Sequence, residues 1–188
     1  MVWALGIYFS IAIGVGDFFG AYLTRRSHAF TTVLTFLLIG GISAAGLLLV
    51  VESDFIARDV GFGALGGLTV GFALALLYHG MSVSSAAVVS PVTAVITALI
   101  PVGWDASTGG DLPGLVIFGI AVSLVGLTVT TFSPELGERA IAGVAWGLAS
   151  GTCFGISLAL IGQAKIESGM WATVSQRFTA FGVLAVIA

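Results

Sequence analysis

Charged side chains are scarce in this sequence. Six Lys and Arg with nine Asp and Glu make up 8% of its 188 residues, where a soluble domain carries about 25%. Water is therefore not the main solvent of this chain. The small net charge of −3 excludes the basic groove that nucleic acid requires, so no nucleic-acid partner is expected. Cysteine is reduced to Cys153, which excludes an internal disulfide and a cysteine-built zinc site. Asparagine does not occur, and with it goes every N-glycosylation acceptor. The two histidines, His28 and His79, lie at the ends of apolar stretches, and no such stretch holds two acids. Neither a metal nor a cofactor is expected. No glycine-rich phosphate loop followed by Lys occurs either, which argues against ATP hydrolysis.

What fills the chain is apolar: 58% of the residues are hydrophobic and 27 are glycine. A helix crossing the hydrocarbon core needs about 20 such residues. Seven stretches qualify, at 2–23, 30–51, 60–78, 84–102, 112–131, 142–163 and 171–188. Short connections collect nearly every charge, and the third is expected to be a tight turn at 79–83. The runs are continuous rather than alternating, which excludes a membrane β-barrel. The first is no signal peptide, having no basic leader and too long an apolar run. The expected fold is all-α, a polytopic bundle of about seven transmembrane helices whose first partner is the lipid bilayer. Arg25, Arg26 and Arg139 fall in odd-numbered loops and Arg58 and Lys165 in even-numbered ones. Taken literally, that small bias places the N-terminus outside.

Helices in lipid associate through close backbone approach and polar contacts. The first stretch offers the small pair Gly16 and Gly20, and the third is dense in glycine from Gly61 to Gly71. In the fourth, Pro91 removes a backbone donor that neighbouring hydroxyls must offset. Ser84, Ser85, Ser90, Thr93 and Thr97 are placed to help. Ser90, Ala94, Thr97 and Pro101 share one small, weakly polar face, which either lines a cavity or packs at a kink. A repeat is also visible. An offset of 141 brings Gly6 onto Gly147 and Gly14 onto Gly155; an offset of 142 brings Phe36 onto Phe178 and Gly40 onto Gly182. Five helices separate the copies, so the second enters the membrane in the opposite direction, an architecture common among transporters.

The segment FALALLYHGMSVSSAAVVSPVTAVITAL, residues 72–99, resembles the third and fourth helices of EamA-like members of the drug/metabolite transporter superfamily. Leu76, Tyr78 and Gly80–Ser82 match the end of the third helix, while Ala86, Ala87 and Pro91 match the small residues and proline of the fourth. Asp105 stands where many members have Glu, and Gly119 and Gly126 match helix-five glycines. GVAWGLASGTCFGISLAL from Gly143 resembles the opening of the second repeat. Arg177-Phe178 is similar to an Arg-Phe pair of a repeat's second helix, where the first repeat has Thr35-Phe36 instead. The resemblance implies ten helices in two inverted five-helix repeats, with residues 1–132 as the first and 140–188 as the start of the second. Three further helices would then lie beyond Ala188. It also implies cytoplasmic termini and a multi-pass protein of a bacterial cytoplasmic membrane.

Among ionisable groups, Asp17 is singled out. It sits about 10 Å along its helix from the Thr24 end, with mostly small neighbours. An intramembrane acid marks either a pathway or proton relay, or a buried structural pair. Arg177 lies about 9 Å beyond Trp171. It either snorkels to the interface or faces a cavity with Gln176 and Thr173, selecting an anion or pairing with Asp17. Asp17, Ser90, Pro91, Thr97 and Arg177 are thus the substrate or coupling candidates, and none is a catalytic residue. The leading expectation is a secondary transporter of a small metabolite or drug working by alternating access, with a proton as the candidate coupling ion. A substrate-capturing or structural subunit of a larger transport complex is the alternative. An intramembrane enzyme fits less well, because no nucleophile and base lie together. A homodimer or partner subunit remains open.

Overall fold

The computed structural model describes residues 29–110, 113–131 and 137–187. The first apolar stretch, with Asp17, Arg25, Arg26 and His28, lies outside the described residues. The described residues form six α-helices and no strand: α1 (Ala29–Leu47), α2 (Ala57–Val83), α3 (Ala86–Ser107), α4 (Gly114–Thr131), α5 (Gly137–Ile161) and α6 (Trp171–Ile187). A 3₁₀ turn, Ile166–Ser168, precedes α6. These helices answer to the second through seventh stretches. Within α2, α3 and α5, the segments Ala57–Val83, Ala86–Ser107 and Ala140–Ile161 are long and apolar enough to cross a membrane. At 1.5 Å per residue they reach about 33–40 Å, against a hydrocarbon core of about 30 Å.

Two local expectations are corrected. The tight turn at 79–83 is helical: α2 continues to Val83, where the Ser84 amide bonds the Gly80 carbonyl at 2.9 Å. The turn shrinks to Ser84–Ser85, and the Ser85 hydroxyl caps α3 by accepting from the Ala87 amide at 3.2 Å. His79 stays in the helix with its ring edge-on to Trp146, 4.5 Å between centroids. Second, Pro91 and Pro101 both sit inside one uninterrupted α3. The nearby threonines do not repair the lost bond. Thr93 and Thr97 donate to the Gly147 and Gly151 carbonyls of α5, at 3.3 and 3.4 Å.

Glycine determines the packing. Gly63, Gly67 and Gly71 put one edge of α2 against α6, meeting Ala172, Gln176 and Val183 in turn. Gly66 and Gly80 put another edge against α5, meeting Ser157 and Trp146. On α5 itself, Gly143, Gly147, Gly151 and Gly155 recur every fourth residue and receive Val88, Val92, Ile96 and Ile100 of α3. Side chains four apart share a helix face, so each series is a groove into which the neighbour's backbone sinks. Numbers rise together for α2 with α6 and for α3 with α5, so these pairs are parallel. They run oppositely for α2 with α5 and for α1 with α6, where Gly41 faces Phe178 and Val33 joins Leu184 in a buried cluster. α1, α2 and α3 therefore alternate in direction, as do α5 and α6, which is what chain-sequential crossings of a bilayer would require.

Bulky apolar side chains point outward. Leu115, Ile117, Phe118, Val122 and Val125 of α4 are all exposed. In water such a patch would drive association; in lipid it is the solvent-facing side.

Candidate functional site: a polar junction between α2, α5 and α6

Buried hydroxyls mark the place where three helices meet. Ser157 of α5 donates to the Gly66 carbonyl of α2 at 2.8 Å and accepts from Gln176 Nε2 of α6 at 2.9 Å. Thr69 Oγ1 reaches the same Gly66 carbonyl at 2.8 Å. One heptad away, Ser150 donates to the Ala73 carbonyl at 2.9 Å. Both serines are fully buried, which is tolerable in an apolar medium because each hydroxyl has a partner. Ser157→Ala and Gln176→Ala are expected to be non-additive by about 0.6–1.7 kcal/mol in a double-mutant cycle, the range of such bonds within membranes. Additive losses would break the relay.

Arg177 is the next residue along α6. Its aliphatic stem lies on the Gly40–Gly41 step of α1. A Cβ at Gly41 would sit 3.5 Å from the Arg177 Cβ, and one at Gly40 would sit 3.9 Å from its Cδ and Nε. The side chain is exposed and makes no hydrogen bond or ion pair with any described residue.

The sequence candidates do not converge. Arg177 borders the junction, whereas Thr97 lies on the α3–α5 seam and Ser90 and Pro91 are half-buried near the start of α3. Asp17 falls outside the described residues. The expected small face of α3 is divided: Thr97 turns to α5, while Ala94 lines a groove of about 380 Å³ with Ala98, Gly119, Ile120 and Ser123. That groove is apolar. The Ser123 hydroxyl, its one polar side chain among the described residues, is already bonded to the Gly119 carbonyl at 2.8 Å.

Beyond the helix ends, the connections on either side of α2 and α6 interlock. The Asp54 amide bonds the Glu167 carbonyl at 2.8 Å, Met170 N–H donates to Ser53 Oγ at 3.3 Å, and Phe55 stands edge-on to Trp171 at 5.1 Å. Asp59, in the first turn of α2, is completely buried. Its Oδ2 accepts from the Lys165 amide at 2.9 Å, and its Oδ1 has no hydrogen-bond partner among the described residues.

The chain matches no family model, no curated protein and no solved structure.

Sequence reasoning missed Ser150, Ser157 and Asp59. The signal for the serines was present, since they stand seven residues apart on the helix whose glycines recur every four. Asp59 gave no such signal, because by position it is one charge among several in a loop.

Proposed function

We propose that this protein is a multi-pass secondary transporter of the EamA-like drug/metabolite type. In this reading it carries a small metabolite or drug across a bacterial cytoplasmic membrane by alternating access, and it is a carrier rather than an enzyme. Residues 1–132 and 140–188 belong to two inverted repeats, and the solute meets the protein where they join.

One observation carries the reading. The offset of 142, which matches Phe36 to Phe178 and Gly40 to Gly182, pairs α1 with α6. These two helices run antiparallel and touch. Leu37 shares a buried cluster with Ala180, and its equivalent under the offset is Thr179, one residue away. Contact of α1 with α6 near positions matched by that offset supports a two-fold axis in the membrane plane, and such an interface is where transporters of this architecture bind. Gln176 and Arg177 lie beside it, and Asp17 is the coupling or charge-matching group in this reading.

The test is flux in proteoliposomes holding the full reading-frame product, using labelled amino acids, nucleobases and carboxylates. Saturable uptake of one class is expected, stimulated by the same unlabelled solute inside. Asp17→Asn should insert normally and slow that flux about tenfold or more. Flux equal to that of empty vesicles for every class would sink the reading.

A further inference from the structure

The apolar run that opens at Phe30 does not stop where α1 stops. It continues to Val51, whereas the helix ends at Leu47, so Leu48–Val51 are apolar residues placed in turns. Leu49 is 90% exposed and Val50 82%. Across the interlocked connections, Ile166 of the 3₁₀ turn is 96% exposed, and Phe55 is exposed as well. These residues gather at one end of the bundle, where α1 stops and α2 and α6 begin. Leaving such a side chain in water forgoes about 1.5–3 kcal/mol of burial.

Three features say what covers them. First, the patch continues a lipid-facing surface. Ile39 and Ile42 are exposed on α1, and Gly46 and Leu49 follow at the same spacing of three and four. Second, the turn backbone is bonded as lipid demands. The amides of Leu48, Leu49, Val50 and Val51 reach the carbonyls of Ala45, Gly46 and Leu47 at 2.8–3.2 Å. Ser53 Oγ takes up the Val51 carbonyl at 3.0 Å. Water would make these bonds optional, but an apolar surround does not. Third, tryptophan collects at the headgroup level of membranes, and this end of the bundle holds Trp171 and, because α3 is antiparallel to α2, Trp104. Exposed Glu52, Asp54, Lys165 and Glu167 are interspersed with the apolar residues. That mixture suits the boundary between headgroups and acyl chains rather than the hydrocarbon centre.

We propose that Leu49, Val50, Phe55 and Ile166 form an interfacial patch that inserts among the acyl chains just beneath the headgroups, so that the interlocked connections are seated in the bilayer rather than in water. Insertion of this kind grows with the apolar area buried. Charge does not drive it, since Glu52, Asp54 and Glu167 outnumber Lys165 and Arg58 at this end, and anionic lipid would gain nothing there. The proposal goes beyond the transporter reading and needs only that the bundle lies in a membrane.

The experiment places a nitroxide at Leu49→Cys, Ile166→Cys or Thr108→Cys, one at a time, in a Cys153→Ser background of the full reading-frame product in phosphatidylcholine nanodiscs. Thr108 is an exposed polar residue after α3, at the same end of the bundle. All three positions are exposed, so the labels displace no packed side chain. Power saturation then compares collisions with oxygen, which concentrates among acyl chains, and with a water-soluble nickel chelate. Oxygen is expected to dominate at 49 and 166 and nickel at 108, with the ratio differing severalfold. Nickel-dominated collisions at both 49 and 166 would put the patch in water and overturn the proposal. Weak collision with both reagents would mean that a second copy or another subunit covers the patch, and would overturn it equally. Adding phosphatidylglycerol should leave the ratios unchanged. A severalfold change at 166 would make charge the driving force and overturn apolar insertion. None of these outcomes depends on solute flux, so the transporter reading stands or falls separately.

Discussion

Replacing Gly67 by Ala is expected to lower the unfolding free energy by about 1–3 kcal/mol, the usual cost of forcing a methyl into a packed contact. The added Cβ would stand 2.5 Å from the Gln176 carbonyl oxygen, 2.7 Å from Thr179 Cβ and 3.1 Å from the Ala180 amide nitrogen. Two of these are main-chain atoms, so no rotamer change relieves the clash and α2 must back away from α6. Gly61→Ala is the matched control on the same helix. Nothing lies within 4 Å of its Cβ position, and a helix-interior Gly→Ala exchange at an open site favours the helix by up to about 1 kcal/mol. Reversible unfolding in bicelles measures both. Equal stability of the two variants would mean that α2 and α6 are not in the contact described.

Asp59 gives the second large effect, through a contrast between two substitutions. Its Oδ2 bonds the Lys165 amide at 2.9 Å, so Asp59→Ala strands a buried donor and removes the tie between α2 and the α5–α6 connection. A loss of about 1–3 kcal/mol follows from that stranded group. Asp59→Asn keeps the acceptor and removes a buried charge whose Oδ1 has no bonded partner among the described residues. The helix N-terminus favours the native charge by roughly 0.3–1 kcal/mol, while desolvation of an unpaired charge opposes it. Asn is therefore expected to stay within about 1 kcal/mol of wild type. Hydrogen exchange at the Lys165 amide reads the contact directly: protection kept in Asn and lost in Ala. An Ala variant that still protects this amide would refute the tie.

The helical class was legible because lipid demands long uninterrupted apolar runs, and six of the seven expected stretches correspond to described helices. Their ends were less legible. The fourth stretch was expected to end at Val102 and α3 runs to Ser107, since Trp104 and Asp105 can remain helical outside the hydrocarbon. His79 and Gly80 look like turn residues by type, yet Gly80 is where Trp146 packs, and that contact comes from sixty-six residues away. Arg177 and Gln176 were recognised as a pair on one helix, but their surroundings depend on α1 and α5. The partners of the polar junction were hidden for the same reason, although the seven-residue spacing of Ser150 and Ser157 was there to be read. A serine that bonds a carbonyl on another helix looks, in one dimension, like any small residue in an apolar run. Thr97, placed on a face that either lines a cavity or packs at a kink, is found bonded to the Gly151 carbonyl at 3.4 Å.

The position of α2 bears on biosynthesis. Its glycine edges and its buried acid are completed by α5, the Lys165 amide and α6, all of which emerge from the ribosome after it. Between the release of Val83 and that of Ile187, translation takes on the order of 5–20 s at about 5–20 residues per second. During that interval the grooves of α2 face lipid or the insertion machinery, and Asp59 has no Lys165 amide to bond. Packing of α2 against α5 and α6 is therefore a late event, and α2 waits for both partners.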